Sequence, residues 1–110
     1  MVGDSAGGNL VAALTLRCIK HRIRIPNGIL LVYPAINLVV KKFSPSLLEA
    51  LDDVILPHTF LKLCLDAYVP IYFDAATDPF LSPDLASDEL LKELPPTRIM
   101  VGNKDPLHDD

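Results

Sequence analysis

Three of the five glycines in this 110-residue chain fall within the run Gly3-Asp4-Ser5-Ala6-Gly7-Gly8-Asn9. Gly3, Ser5 and Gly7 have the Gly-x-Ser-x-Gly spacing of a nucleophile elbow, a sharp strand-to-helix turn that exposes a serine hydroxyl. Such a turn is strained, and bulk beside the serine would collide with neighbouring backbone, which accounts for small residues at Gly3, Gly7 and Gly8. Asp4 fills the variable position before the serine. An elbow follows a buried central strand, yet only Met1 and Val2 precede this one. The chain is therefore expected to be an interior piece of a larger enzyme.

The residues after the turn agree with that geometry. By chance, Gly-x-Ser-x-Gly arises in ~4% of chains this long at ordinary glycine and serine frequencies. Here the stretch from Asn9 to His21 comes at once, rich in alanine and leucine, with Val11, Leu14 and Cys18 on one helical face. Arg17, Lys20 and His21 cluster in its last turns, where positive charge suits the helix dipole. The competing reading is a glycine-rich turn that caps an ordinary helix.

Half of the residues are apolar, enough for a modest core and too many for a disordered tail. A net charge of −4 and a pI near 5.2 argue against a nucleic-acid partner. The basic run from Arg17 to Arg24 reads as a solvated helix end rather than a phosphate track. Cys18 and Cys64 lie in separate helical stretches without CxxC spacing. Each reads as a small buried hydrophobe rather than a metal ligand or half of a disulfide, and the pair fits a reducing compartment. Gly3-Asp4 interrupts any N-terminal apolar run, so no secretory signal is expected. The longest apolar stretch, Gly28 to Val40, is broken by Pro34 and Asn37 and is too short to span a bilayer. No transmembrane segment is expected.

Pro26-Asn27-Gly28 marks a turn before the apolar run Ile29 to Tyr33, which reads as a parallel strand covered by helices on both faces. Pro34 ends it. From Ala35 to Pro57 the pattern loosens around a short helical segment, Leu47 to Leu51, opened by Ser44-Pro45-Ser46 and closed by Asp52-Asp53. Pro57 suits the first turn of a helix over His58 to Tyr68, where Phe60, Leu63, Cys64 and Ala67 make an apolar stripe. That stripe is either core or the wall of an acyl pocket. Val69 to Pro83 reads as an irregular loop. Ser87 is placed to cap a helix over Asp88 to Leu94, with acids in its first turn, and Pro95-Pro96 stops it. Thr97 to Val101 is a second strand, and Gly102 to Pro106 is the loop at its carboxyl end. Helix alternating with buried strand gives the α/β class, a mostly parallel sheet with covering helices and no interdomain linker.

That last loop sets Asp105 on the sheet edge where Ser5 also lies, the edge at which open α/β sheets collect ligands and catalytic groups. A serine–histidine–aspartate site needs a buried carboxylate to orient the imidazole and stabilise its charged form. Ser5 followed by Asp105 fits the chain order of nucleophile, acid, then histidine. The competing reading is an Asp-Pro turn initiator.

Gly3 to Asn9, Tyr33-Pro34, Asp78 to Pro83 and Leu94 to Asp110 together resemble the hormone-sensitive lipase family, in the family's order and over nearly the whole chain. Ser44-Pro45-Ser46 and Leu56-Pro57 look nearest to its animal members. The resemblance implies a partial α/β-hydrolase catalytic domain over residues 1–110, from elbow to triad acid, without the N-terminal strands and the last strand. It implies Ser5 as nucleophile, Asp105 as triad acid and the backbone N–H of Ala6 as one oxyanion donor. Gly7 and Gly8 would allow close approach of substrate. The implied substrates are carboxylic esters, including acylglycerols, in lipid catabolism. No metal or organic cofactor is implied; a cytoplasmic location is, with lipid-droplet contact in the full-length protein.

The family's His-Gly-Gly-Gly motif and catalytic histidine find no match here. His21 lies roughly 24 Å from Ser5 along a helix at 1.5 Å per residue, His58 has no motif, and His108 occupies a variable position. The chain by itself is expected to be marginally folded, with unpaired strand edges and exposed apolar faces. It is also expected to be inactive, since serine without its base is a poor nucleophile. The rival reading is a truncated, non-catalytic interaction module, which would give no reason for an elbow serine.

Overall fold

A computed structural model describes residues 1–39 and 44–110. Its centre is a parallel sheet in the order β1-β2-β3, formed by Val2–Asp4, Ile29–Val32 and Thr97–Met100. The strand that an elbow requires is thus present. Val2 pairs with Leu30, Gly3 with Leu31 and Asp4 with Val32, although three residues are too few to show a strand pattern of their own. Strand β3 lies along the other side of β2, with Ile29 opposite Thr97 and Val32 opposite Met100.

Helix α1, Ala6–Lys20, leaves Ser5 directly and packs on β1 and β2. Val11 and Ala12 meet Ile29 and Leu31 in the first core cluster. The buried arc of α1 runs through Ala12, Thr15, Leu16 and Ile19, and this corrects the expected face. Leu14 is 50% exposed, and Cys18 is only half-buried. The reason is tertiary: α1 is flanked by α4, Asp88–Leu91, and by a 3-10 turn at Pro83–Leu85, so burial spreads to the side away from Leu14. Thr15 sits within this arc without an unpaired hydroxyl, because its Oγ1 donates to the Val11 carbonyl at 2.7 Å.

The sheet is covered on one face. Ile29 and Leu31 are buried against α1, whereas Leu30 and Val32 on the opposite face are half-buried. All four residues of β3 are exposed, Ile99 and Met100 each by 59%. A thickness of 20 Å agrees, since one helical layer on one sheet occupies about that depth. The expectation of helices over both faces fails for the described residues, while the expected exposed apolar faces are present.

A second core gathers beyond the carboxyl edge of the sheet. Ala35, Leu38, Ala75 and Leu107 bury together, and Leu61 and Leu65 of α3, His58–Tyr68, rest against them. Helix α2, Pro45–Glu49, is capped by the Ser44 hydroxyl, which accepts the Leu47 N–H. It ends at Glu49 with Ala50 as its cap, short of the expected Leu51. Ser87 occupies the cap position of α4, but its side chain makes no capping bond to the helix backbone. Residues 40–43, which include the end of the Gly28–Val40 stretch and part of the loosely patterned region, lie outside the described residues. Among the described residues no helix is long and apolar enough to cross a membrane.

Candidate active site

The elbow is held by its backbone. Ser5 has φ 49° and ψ −121°, a conformation that costs a residue with a side chain about 1–3 kcal/mol. Three hydrogen bonds hold it there. The Ser5 N–H donates to the Val32 carbonyl at 2.9 Å, and the Ser5 carbonyl accepts from the N–H groups of Asn9 at 3.2 Å and Ala35 at 3.3 Å. The strain sits on the serine rather than on its glycines, because no described glycine has a positive φ.

The glycines supply room. A Cβ on Gly3 would collide with the Gly7 carbonyl, and one on Gly8 would lie 2.7 Å from the Pro34 Cβ. The space above Gly8 is therefore filled by Pro34. Gly7 differs, since its added Cβ would meet only Asp4 Oδ1 at 3.7 Å, an ordinary contact. The steric need expected at three glycines holds at two.

Ser5 and Ala6 open into a cleft of about 340 Å³. Its far wall is Leu56 and helix α3, which contributes Phe60, Cys64 and Tyr68 at successive four-residue steps. Leu61, Leu65, Leu38 and Leu107 complete the apolar lining. The stripe left open by the sequence is thus divided: Phe60 and Cys64 face the cleft, whereas Leu63 and Ala67 are exposed and outside it. Helix α3 rests on the second core through Leu61 and Leu65, so the neighbouring row looks across at Ser5. Cys64 is exposed rather than buried, and both cysteines are free thiols.

The polar corner of the cleft is the start of α1. Its first-turn N–H groups have no carbonyl partner within the helix and carry the positive end of its dipole. No acidic residue of the first turn competes for them. The arrangement can present a hydroxyl and, next to it, donors for negative charge on an adjacent oxygen.

Asp105 lies past the carboxyl end of β3, half-buried, and its Oδ1 accepts the Leu107 N–H at 2.9 Å. This is a turn-initiating bond, so that competing reading is present in the geometry. Asp105 lines a wider neighbouring hollow with His108, Asp109 and α2, and among the described residues the Ser5 cleft meets the chain beyond β3 at Leu107, just after the Asp105 loop. Ser5 and Asp105 follow strands that are separated by β2, roughly 10 Å apart at ordinary strand spacing.

Among the described residues no histidine lines the Ser5 cleft. His21 caps the far end of α1. His58 borders a small cavity with Lys62 and Asp109, and His108 Nδ1 lies 3.2 Å from Asp109 Oδ1. The Asp109 carboxyl is held below its ordinary range by the Ser46 N–H, 2.9 Å away, and then by His108. Among the described residues no cluster of three histidine, cysteine or acidic side chains could hold a metal ion.

Asn9, Leu38, Leu56, Tyr68 and Leu107 also line the cleft without having been singled out for it. Asn9 was findable, as an amide on an apolar helix one turn after Ser5. Leu38 and Leu107 carried no local signal, because distant chain brings them together. The Asp78 to Pro83 segment is scaffold: Ser82 is fully buried and its Oγ accepts the Leu38 N–H at 3.0 Å. Phe80 lies under Lys20 and Arg17, 5.0 and 5.7 Å from its ring centre.

The sequence profile of the family described as alpha/beta hydrolase fold matches residues 1–110. The chain is 43% identical over 68 residues to hormone-sensitive lipase of Ictidomys tridecemlineatus, covering 62% of this chain and 9% of that protein. It is 34% identical over 108 residues to an esterase of Acinetobacter venetianus, covering 98% of this chain and 34% of that protein. Among solved structures, a hyperthermophilic esterase from the archaeon Pyrobaculum calidifontis matches with a TM-score of 0.88 and 32% identity, over 98% of this chain and 34% of that one. The chain therefore spans about a third or less of each of these relatives.

Proposed function

We propose that this chain, which belongs to the α/β-hydrolase fold family, carries the nucleophile and acid of a carboxylic ester hydrolase of the hormone-sensitive lipase type. The observation that carries the reading is Ser5, held at a strained φ of 49° at the mouth of an apolar cleft. Strain of this kind persists only where the surroundings over-determine it, and an apolar wall facing a hydroxyl suits an acyl chain. Relatives named esterase and hormone-sensitive lipase support the same reaction class.

In this reading the Ser5 Oγ attacks the ester carbonyl while its acyl chain lies along Phe60, Cys64 and Tyr68. The oxygen charge that develops is met by the Ala6 N–H. The alcohol leaves, and water then releases the acid from acyl-Ser5. Asp105 orients the histidine that takes and returns the serine proton. Two hydrogen bonds of about 2.8 Å and the ring between them bridge most of the distance from β1 to β3. That histidine comes from outside the described cleft, so residues 1–110 hold the stretch of the catalytic domain from elbow to acid. Acylglycerols as substrates, a cytoplasmic location and lipid-droplet contact belong to the same reading and rest on the family likeness.

The test uses a fluorophosphonate probe and short-chain p-nitrophenyl esters on the polypeptide from the complete reading frame and on the 110-residue chain. The complete polypeptide is expected to be labelled at Ser5 and to hydrolyse the esters, with both lost in Ser5→Ala and hydrolysis greatly reduced in Asp105→Asn. The 110-residue chain alone is expected to do neither. Hydrolysis that survives Ser5→Ala would remove Ser5 from the mechanism. An unlabelled complete polypeptide would leave the non-catalytic interaction module.

A further inference from the structure

We infer that Asn9 is a positioning residue for Ser5, tying the strained elbow to the loop after β2 and to the Asp78–Pro83 segment; the inference rests on the proposed role of Ser5. The Asn9 side chain is 2% exposed. Its Nδ2 donates to the Ala35 carbonyl at 2.7 Å and to the Leu81 carbonyl at 2.8 Å. The orientation of the amide is settled by those partners, since only the nitrogen can face two carbonyl oxygens.

These bonds close a ring around the serine. The Ser5 carbonyl accepts the N–H groups of both Asn9 and Ala35, and the Asn9 side chain holds the Ala35 carbonyl in turn. Without that link residue 35 is held near Ser5 by packing and by its own N–H alone, and the Ala35 N–H bond, one of the three that hold φ at 49°, is expected to weaken. The bond to Leu81 extends the clamp to a segment already fastened to Leu38 through Ser82.

Asn9 is also a poor residue for filling space. Its Oδ1 is buried with no hydrogen-bond partner among the described residues, so the position bears the desolvation cost of an unmade bond that leucine would avoid. The amide contributes its pair of N–H donors there. A misplacement of about 1 Å at a reacting group can cost ~10²-fold in rate, so loss of the clamp is expected in turnover rather than in substrate binding.

The experiment uses the complete polypeptide, with active sites counted by a stoichiometric phosphonate. In Asn9→Leu, kcat per titrated site and the phosphonylation rate constant are expected to fall together by about 10- to 100-fold, with KM changed by less than about threefold. In Asn9→Asp the neutral carboxyl can donate to only one carbonyl, and the carboxylate to neither. The kcat of this variant relative to the unmutated protein is therefore expected to fall as pH rises through a carboxyl ionisation that asparagine lacks. Folded variants with unchanged kcat and phosphonylation per site would overturn the inference, whatever their melting temperatures.

Should neither variant fold, side-chain amide exchange in the unmutated protein decides. The Asn9 NH₂ protons are expected to exchange at least ~10²-fold more slowly than a free amide, as for a buried, bonded group; exchange at the free rate overturns the clamp. Failure of the unmutated protein to label at Ser5 would instead sink the functional reading, and the inference with it.

Discussion

Alanine at Gly8 separates the packing of the elbow from its chemistry. The added Cβ would lie 2.7 Å from Pro34 Cβ, 3.0 Å from Pro34 Cα and 3.3 Å from the Gly3 carbonyl oxygen. Carbon pairs prefer 3.5–4.0 Å, so the overlap approaches ~1 Å. The neighbours have little freedom to yield, because Pro34 is a ring fused to backbone and the next residue is bonded to both Ser5 and Asn9. Overpacking of this order costs about 1–3 kcal/mol, set against about 1 kcal/mol returned by the helix propensity of alanine over glycine.

Gly7→Ala cancels that second figure. It makes the same chemical change one residue earlier in the same first turn, where the nearest neighbour is Asp4 Oδ1 at 3.7 Å. The difference between the two variants is then the overpacking alone, about 1–3 kcal/mol in favour of Gly7→Ala. Urea unfolding would read it as a shift in midpoint at constant slope. Gly8→Ala as stable as Gly7→Ala would refute the reasoning, since it would mean that Pro34 moves aside without cost.

Three further outcomes rest on single residues. Ser5→Gly relieves the φ of 49° and is expected to raise stability by about 1 kcal/mol after the added unfolded-state entropy of glycine, while abolishing phosphonate labelling; a loss of stability would show that the turn is unstrained. Cys64 is exposed and Cys18 only half-buried, so iodoacetamide followed by peptide mass spectrometry should find Cys64 alkylated first, and the reverse order would misplace α3. The Asp109 carboxyl is lowered in the folded chain by the Ser46 N–H and His108. Its stabilising contribution is therefore complete above the ordinary aspartate range near ~3.9 and is lost as pH falls through the lower folded value. Below about pH 4 the unmutated protein should lose stability more steeply than Asp109→Ala, and parallel pH profiles would remove the Ser46–Asp109 bond from the account.

The parts of the site that could be read in advance are those whose physics is local. The Gly-x-Ser-x-Gly spacing reports a collision between near neighbours, that of a Cβ on Gly3 with the Gly7 carbonyl. It therefore announces a strand-to-helix elbow wherever it folds. The periods of α1 and α3, the proline that follows β2, and the Ser5-then-Asp105 order at one sheet edge are of the same kind, whereas α4 stops at Leu91, short of the expected Leu94 and of Pro95-Pro96. Several finer readings failed for one shared reason. The helical period puts Leu14 on a buried face and composition reads Cys64 as a buried hydrophobe, yet each lies exposed because the side on which its helix packs is set by partners that only the folded chain supplies.

Sequence alone determined that a serine would stand at a sharp turn on the carboxyl edge of a parallel sheet, because excluded volume and hydrophobic period act between near neighbours. Tertiary structure decided which glycines need to be glycine, which row of α3 looks at the serine, and that the Asn9 amide closes a ring through Ala35. Those outcomes depend on Pro34, Leu38, Leu81 and Leu107 arriving from distant stretches of chain. Contacts of that range are selected by packing of the whole fold and leave no local mark in the residues that make them.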